Sequence, residues 1–255
     1  MTLLQALVLG IVEGLTEFLP ISSTGHLILA AKLLGLTQTD FQKSFEIVIQ
    51  LGAIGAVVVL YWRSFLRPKL LAKVIAGFIP TGVIGLGLYP LVKTYLLGNE
   101  MVVLGALAVG GLVLILFELW HREPPGAVGD VDSITYRQAV CIGLFQALAI
   151  VPGVSRSGAT IVGGLAIGLK RETIVEYSFL LAVPTMLAAT GLDLFKNASS
   201  FSAAQSGVLA VGFIASFIVA MASIKFLLAF VRTRTFIPFG IYRLAVAAVF
   251  LLWLE

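Results

Sequence analysis

Cysteine is nearly absent from this sequence. Cys141 is the only one among 255 residues, so no intramolecular disulfide can form and the redox compartment stays undetermined. Charged residues are also scarce, at 12% of the chain. Soluble domains carry about twice that share, so the composition excludes an ordinary soluble domain.

A basic leader is missing as well. The first ten residues, MTLLQALVLG, have no basic region and no A-x-A cleavage site, and Glu13 interrupts the apolar run. They predict a segment of the mature protein rather than a signal peptide. The net charge of +4 requires no nucleic acid as a partner, because membrane proteins collect basic residues in their cytoplasmic loops.

Long hydrophobic segments are what the sequence does contain. Hydrophobic residues make up 59% of the chain, and the mean hydropathy is +1.06. Runs long enough to cross a bilayer predict an all-α integral membrane protein. Six transmembrane helices are predicted, at approximately 44–62, 72–91, 101–120, 173–194, 207–230 and 236–254.

Two further segments, 2–36 and 135–169, are each interrupted by a turn that contains proline and serine. The arm after each turn has too few residues to cross a hydrocarbon core of about 30 Å. Each segment is therefore predicted to form a re-entrant helical hairpin, which enters and leaves the membrane on one face. Non-helical backbone at that depth requires burial in protein or a wet cavity.

The two hairpins are related by an internal repeat. A constant shift of 133 residues aligns seven identical pairs: Gly10 and Gly143, Leu15 and Leu148, Ser22 and Ser155, Gly25 and Gly158, Ile28 and Ile161, Gly35 and Gly168, and Leu36 and Leu169. The predicted spans repeat at nearly the same shift. The sequence thus predicts a first repeat at 1–121, a polar linker at 122–133 and a second repeat at 134–255. Three spans per repeat give the repeats opposite orientations, as in inverted-repeat transporters.

Basic residues then assign the faces. One face receives ten: Arg63, Arg67, Lys69, Lys73, Arg122, Arg137, Lys170, Arg171, Arg232 and Arg234. The other face receives four: Lys32, Lys43, Lys93 and Lys196. The face with ten is predicted to be cytoplasmic. Both termini and the mouth of the first hairpin are then expected on the outer face.

The first hairpin carries two carboxylates, Glu13 and Glu17, one helical turn apart on one face. Carboxylates in an apolar helix require a cavity and a neutralising cation or proton. The pair suits a hard divalent cation, Mg²⁺ or Ca²⁺, held alone or shared with substrate phosphates. The alternative is a pair that shares a proton or binds a lysine.

Hydroxyl groups and an imidazole follow the break at Pro20. Ser22, Ser23 and Thr24 lie where a helix start is expected, and His26 lies in its first turn. A helix start is an anion site, and a hydroxyl beside an imidazole permits nucleophilic attack or proton transfer. The alternative is that the serines only cap the helix and His26 binds a carbonyl.

The second turn is basic rather than acidic. Arg156 stays charged in the membrane and needs an anionic partner. A phosphate suits it, and three hydroxyl residues are expected to support that phosphate: Ser155, Ser157 and Thr160. A salt bridge to Glu13 or Glu17 is the alternative. A second arginine, Arg243, is expected to snorkel or to pair with Asp193 or Glu118, and Glu46, Gln50 and Tyr177 are candidates to line the cavity.

The two motifs, EGLTEFLP-I-SSTGH at 13–26 and PGVSRSGAT at 152–160, resemble those of the bacitracin-resistance type undecaprenyl-diphosphate phosphatases. The resemblance extends over the whole chain in length and segment order. It implies hydrolysis of undecaprenyl diphosphate in the bacterial plasma membrane, dependence on a divalent cation, and a site open to the outer, periplasmic face. The functional positions carried over by motif are Glu13, Glu17, Ser23, His26 and Arg156.

The residues and the resemblance together suggest a mechanism. Ser23 is expected to attack the terminal phosphorus with His26 as proton shuttle, and attack by water or by His26 itself is the rival. A polyprenyl-phosphate transporter or flippase would use the same midplane site, since fold does not establish function. The oligomeric state stays open, a homodimer included.

Overall fold

The computed structural model describes residues 1–37, 39–96, 99–197 and 205–254. Within these ranges the chain contains no β-strand and one isolated β-bridge, between Val128 and Leu169. The α-helices of the described residues are α1 (Leu3–Thr16), α2 (Ser23–Leu33), α3 (Asp40–Leu60), α4 (Trp62–Phe65), α5 (Pro68–Leu91), α6 (Glu100–Trp120), α7 (Tyr136–Ala147), α8 (Arg156–Ala166), α9 (Arg171–Asn197), α10 (Ser206–Val231) and α11 (Ile237–Leu254).

Among the described residues, five helices are long and apolar enough to cross a membrane: α3, α5, α6, α9 and α10. This confirms the prediction of an all-α multi-pass membrane protein. The sixth predicted span, α11, is a shorter apolar helix. Each of the six helices begins within four residues of its predicted start. The side chains of Lys93, Asp193 and Lys196 lie outside what the structure describes.

The first hairpin has two helical arms because both helix starts are capped by side chains. Thr2 and Gln5 form a capping box at the start of α1, and Ser22 Oγ accepts the backbone N–H of Gly25 at the start of α2. Ser22 itself has a φ of 72°, in the left-handed region that residues other than glycine rarely occupy. The surrounding structure must hold this conformation.

The second hairpin follows the same plan. Thr135 and Gln138 form a capping box at the start of α7, a 3₁₀ turn covers Leu148–Ile150, and Ser155 caps α8. Gly153 in the turn has a φ of 92°, and a Cβ there would lie 2.5 Å from the carbonyl oxygen of Val103 on α6. Glycine is therefore required where this turn meets α6.

The first arm of each hairpin packs against a helix from the other half of the sequence, and α1 also packs against a helix of its own half. α1 packs on α10 and α3, while α7 packs on α5; α3 also packs on α9, and α6 on α11. Glycines permit the closest approaches. A Cβ at Gly10 of α1 would lie 2.5 Å from the carbonyl oxygen of Gly212, and one at Gly143 of α7 would collide with the carbonyl of Gly77.

The polar segment 122–133 is bound to the helices rather than free. Val131 is buried, and the backbone of Val128 pairs with the segment after α8. Arg67 forms an ion pair with Asp132, and Lys73 Nζ donates a 2.6 Å hydrogen bond to the Asp132 carbonyl. These contacts fix the linker against the start of α5.

Candidate active site

The turns of the two hairpins are in direct contact. Ser157 Oγ donates a 2.8 Å hydrogen bond to the carbonyl of Leu19, and it shares a 3.0 Å hydrogen bond with the Ser155 hydroxyl. Both serines are buried. The structure therefore brings the predicted residues of the two turns to one place.

Glu17 lies at the centre of this place. Its Oε2 accepts a 2.5 Å hydrogen bond from Ser23 Oγ, and its Oε1 forms a 2.8 Å ion pair with Arg156 Nη2. The side chains of Glu17 and Arg156 are 6% and 12% exposed, so solvent and salt screen this pair weakly. From the sequence, a salt bridge to Glu13 or Glu17 was the alternative for Arg156, and the structure contains the one to Glu17.

Glu13, one turn earlier on α1, is completely buried, and neither carboxylate oxygen has a hydrogen-bond partner. The carboxylates of Glu17 and Glu46 repel its charge, and Arg156 attracts it. A buried carboxylate without donors is costly unless a cation or a proton neutralises it. The pair Glu13 and Glu17 therefore fits the donor set of a hard cation, and equally a shared proton.

A complete metal site built by protein ligands alone is not present in the described part of the chain, since no three His, Cys, Asp or Glu side chains converge there. Two carboxylates are nevertheless enough for Mg²⁺, which commonly keeps water ligands and binds substrate phosphate oxygens as well.

His26 is not hydrogen-bonded to the hydroxyl of Ser23. Its Nδ1 lies 2.7 Å from the Ser22 carbonyl oxygen, and its Nε2 lies 2.9 Å from the hydroxyl of Tyr242. A carbonyl only accepts, so in the neutral ring Nδ1 carries the proton and Nε2 accepts from Tyr242. The two rings are also stacked, with centroids 5.5 Å apart. The hydroxyl–imidazole pair expected for Ser23 is thus replaced by a hydroxyl–carboxylate pair with Glu17.

Arg156 is held on several sides. Nη1 donates 2.9 Å to the backbone carbonyl of Ser178 on α9, and the guanidinium carbon lies 5.7 Å from the ring centroid of Phe18. Nε is buried and has no hydrogen-bond partner. Because guanidinium binds an oxyanion through two parallel N–H groups, the free Nε–H beside Nη2 suits a phosphate oxygen.

The remaining predicted hydroxyl residues differ in their roles. Ser22 caps α2, as the alternative for the first hairpin stated, and Ser155 caps α8. Thr160 is buried and lies 2.7 Å from the Ser178 hydroxyl, behind Arg156 rather than beside Ser23. Thr24 is exposed and does not join the others.

Three residues of this network were not found, or were misassigned, from the sequence. Ser178 and Tyr242 lie in apolar stretches without a motif. Arg243 neither snorkels nor pairs with Glu118, because it is 2% exposed and donates to backbone carbonyls. Glu118 forms its ion pair with Arg171 instead. Of the cavity candidates, Tyr177 is fully buried and donates to the Lys73 carbonyl.

The fold and the site together define a class: a multi-pass α-helical membrane protein in which the turns of two helical hairpins meet around a glutamate, a serine and an arginine. The sequence profile of the family described as "Bacitracin resistance protein BacA" matches residues 6–249. The chain belongs to this family.

Individual relatives are similar over nearly their whole length. A protein named undecaprenyl-diphosphatase from Sulfurihydrogenibium sp. (strain YO3AOP1) is 52% identical over 99% of this chain and 100% of its own. Proteins of the same name from Aquifex aeolicus and Wolinella succinogenes are 51% and 50% identical. These two alignments cover 98% of both chains for Aquifex, and 100% of this chain and 99% of the relative for Wolinella.

Proposed function

We propose that this protein is an undecaprenyl-diphosphatase, which hydrolyses undecaprenyl diphosphate to undecaprenyl phosphate and inorganic phosphate. The names of relatives at about half identity support this activity. The structural observation on which this proposal rests is the group of Ser23, Glu17 and Arg156, which both turns contribute. The reaction would recycle the carrier lipid of cell-wall synthesis and confer resistance to bacitracin.

The contacts support a two-step phosphoryl transfer. Arg156 neutralises the diphosphate, while Ser23 Oγ attacks the terminal phosphorus and passes its proton to Glu17. The bond from that phosphorus to the bridging oxygen breaks, and undecaprenyl phosphate leaves. Positioning and charge neutralisation supply most of the catalysis in such reactions.

Water completes the cycle. It attacks the phosphoserine, the bond between Ser23 Oγ and phosphorus breaks, and inorganic phosphate leaves while Ser23 regains a proton. His26 is the second proton-transfer group in this proposal, since its Nε2 is its basic nitrogen. Direct attack by water, or by His26, is the rival route.

A divalent cation, Mg²⁺ or Ca²⁺, would be held by Glu13 and Glu17. When bound, it supplies positive charge to the phosphate oxygens. The unpartnered carboxylate of Glu13 supports this assignment. Terbium is titrated into the purified protein and into Glu13→Gln, and its luminescence reports cation binding independently of activity. Equal affinity in both proteins would contradict the assignment.

The predicted inverted repeat and orientation also remain proposals. The packing of α1 on α10 and of α7 on α5 supports the repeat, because the first arm of each hairpin contacts the second predicted span of the other half. Both Gly35 and Gly168, aligned by the repeat, end an arm with positive φ. Reporter fusions at the two termini test the prediction that both lie outside, with the site open to the periplasmic face.

The decisive experiment is phosphate release from undecaprenyl diphosphate by purified protein in detergent. Substrate labelled at the terminal phosphate and quenched in acid should leave label on Ser23, and Ser23→Ala should abolish the label and lower turnover to a small residual rate. Full activity of Ser23→Ala would favour the rival route, and full activity of Arg156→Ala would contradict the whole site. Lipid movement without phosphate release would favour the transporter.

The homodimer stays a prediction. Light scattering of the detergent-solubilised protein during size-exclusion chromatography tests it directly.

A further inference from the structure

Arg243 of α11 is a buried charged side chain outside the catalytic group described above. It is 2% exposed and is located in a segment of the chain far from both motifs. It forms no ion pair with any carboxylate of the described residues. An isolated buried cation is costly, so its surroundings must satisfy its donors.

Backbone carbonyls from three separate segments satisfy it. Nη1 donates 3.4 Å to Pro20 in the first turn, and Nη2 donates 3.1 Å to Gly153 in the second turn. Nε and Nη2 also donate, at 3.1 and 2.9 Å, to Leu107 and Ala106 of α6. One guanidinium therefore joins both turns to a transmembrane helix.

The surrounding helix is shaped for this side chain. Gly110 and Gly111 follow the two accepting carbonyls of α6 by one helical turn. A Cβ at Gly110 would collide with Nη2 of Arg243, and one at Gly111 would lie 3.0 Å from the Arg243 Cβ. Glycine at these positions leaves room for the guanidinium and exposes the carbonyls to it.

The direct contact between the turns is limited by comparison. Ser157 binds Leu19, and a Cβ at Gly158 would lie 3.6 Å from the Cβ of Pro20. The catalytic geometry, however, depends on the separation of the turns, since Glu17 and Ser23 flank one turn and Arg156 follows the other.

We propose that Arg243 is a positioning residue, which fixes the separation of the two turns and so aligns Ser23 and Glu17 with Arg156. This inference rests on the proposed phosphatase function for its kinetic consequence, although its structural part does not. Lysine keeps the charge but cannot form the planar fork that reaches four carbonyls. The substitution Gly110→Ala leaves Arg243 in place, but the added Cβ displaces the Arg243 guanidinium.

The test measures the turns directly as well as turnover. Leu15 precedes the first turn, Leu148 begins the 3₁₀ turn of the second hairpin, and both are exposed, so nitroxide labels at L15C and L148C in a Cys141→Ala background report the separation by double electron–electron resonance. Arg243→Lys, Arg243→Met and Gly110→Ala are compared with Arg171→Lys, the same change in a partly buried arginine that pairs α9 with Glu118 of α6.

We expect the three test variants to broaden or shift the distance distribution, and Arg171→Lys to leave it narrow. A misplacement on the order of 1 Å lowers kcat by about 100-fold, with KM changing much less. Unchanged distances in Arg243→Met, or distances that change while kcat does not, would overturn the proposal. If wild type itself releases no phosphate, the phosphatase function fails, and the distances still decide the structural part.

Discussion

Replacement of Glu17 by glutamine is the sharpest perturbation of the site. The amide keeps the shape of the side chain but removes its charge. Ser23 then loses the carboxylate that accepts its hydrogen bond at 2.5 Å, and Arg156 loses its ion-pair partner at 2.8 Å. The change is confined to a side chain that is 6% exposed.

The expected loss follows from these two contacts. Removing a positioned base lowers turnover by roughly 100- to 10,000-fold, which is about 3–5 kcal/mol of the activation barrier. Breaking a buried ion pair by removal of one partner costs about 3–5 kcal/mol of stability. Glutamine should lose less stability than that, because its amide oxygen still accepts from Arg156.

The assay is phosphate release under single-turnover and steady-state conditions, with the melting temperature measured in parallel. A double-mutant cycle with Ser23→Ala supplies the decisive comparison. If Glu17 acts by accepting the Ser23 proton, Ser23→Ala already removes that step. The double variant should then be little slower than Ser23→Ala alone.

Two results would refute this reasoning. Losses that multiply fully in the double variant would show that Glu17 does not act through Ser23. The second result is that the losses of turnover in His26→Ala and Ser23→Ala are not additive, while those in Glu17→Gln and Ser23→Ala are. That result would return the role of base to His26.

The other expected outcomes concern neighbouring contacts. Tyr242→Phe removes the hydroxyl bound to His26 Nε2 but keeps the stacked ring; we expect the free energy of unfolding to fall by about 0.5–1.5 kcal/mol, measured as a lower melting temperature. Gly143→Ala places a Cβ on a carbonyl of α5, so thermal unfolding should show a loss of about 1–3 kcal/mol. Gly105→Ala, with nothing within 4 Å, is its control and should not destabilise. Chelation should lower the melting temperature of wild type and leave Glu13→Gln unaffected, as measured by differential scanning fluorimetry.

Local sequence features predicted the helices well. The breaks follow from Pro20 and Pro152 together with the capping residues Ser22 and Ser155, which act within a few residues. Hydropathy located the transmembrane spans for the same reason, because each span is one continuous apolar segment of the sequence. The motif residues Glu17, Ser23 and Arg156 could be grouped because a repeat placed their turns in equivalent positions.

Partners chosen by tertiary packing were not predictable in this way. Ser23 binds Glu17 rather than His26, and the His26 imidazole instead binds Tyr242 of α11, which is distant in sequence. Tyr242 and Arg243 are distant in sequence from both motifs, and no periodicity marks them. The expectation that Arg243 pairs with Glu118 was wrong, because backbone carbonyls satisfy its guanidinium and Glu118 pairs with Arg171.

The packing of α1 on α10 has a consequence for the order of folding. Chains emerge from the ribosome N-terminus first, and α7 can dock on α5, already made, as soon as it appears. α1 must instead wait for residues 206–231, which carry the backbone that Gly10 and Gly14 contact. A chain arrested before α10 should therefore leave the Gly10 and Gly14 face of α1 without its packing partner.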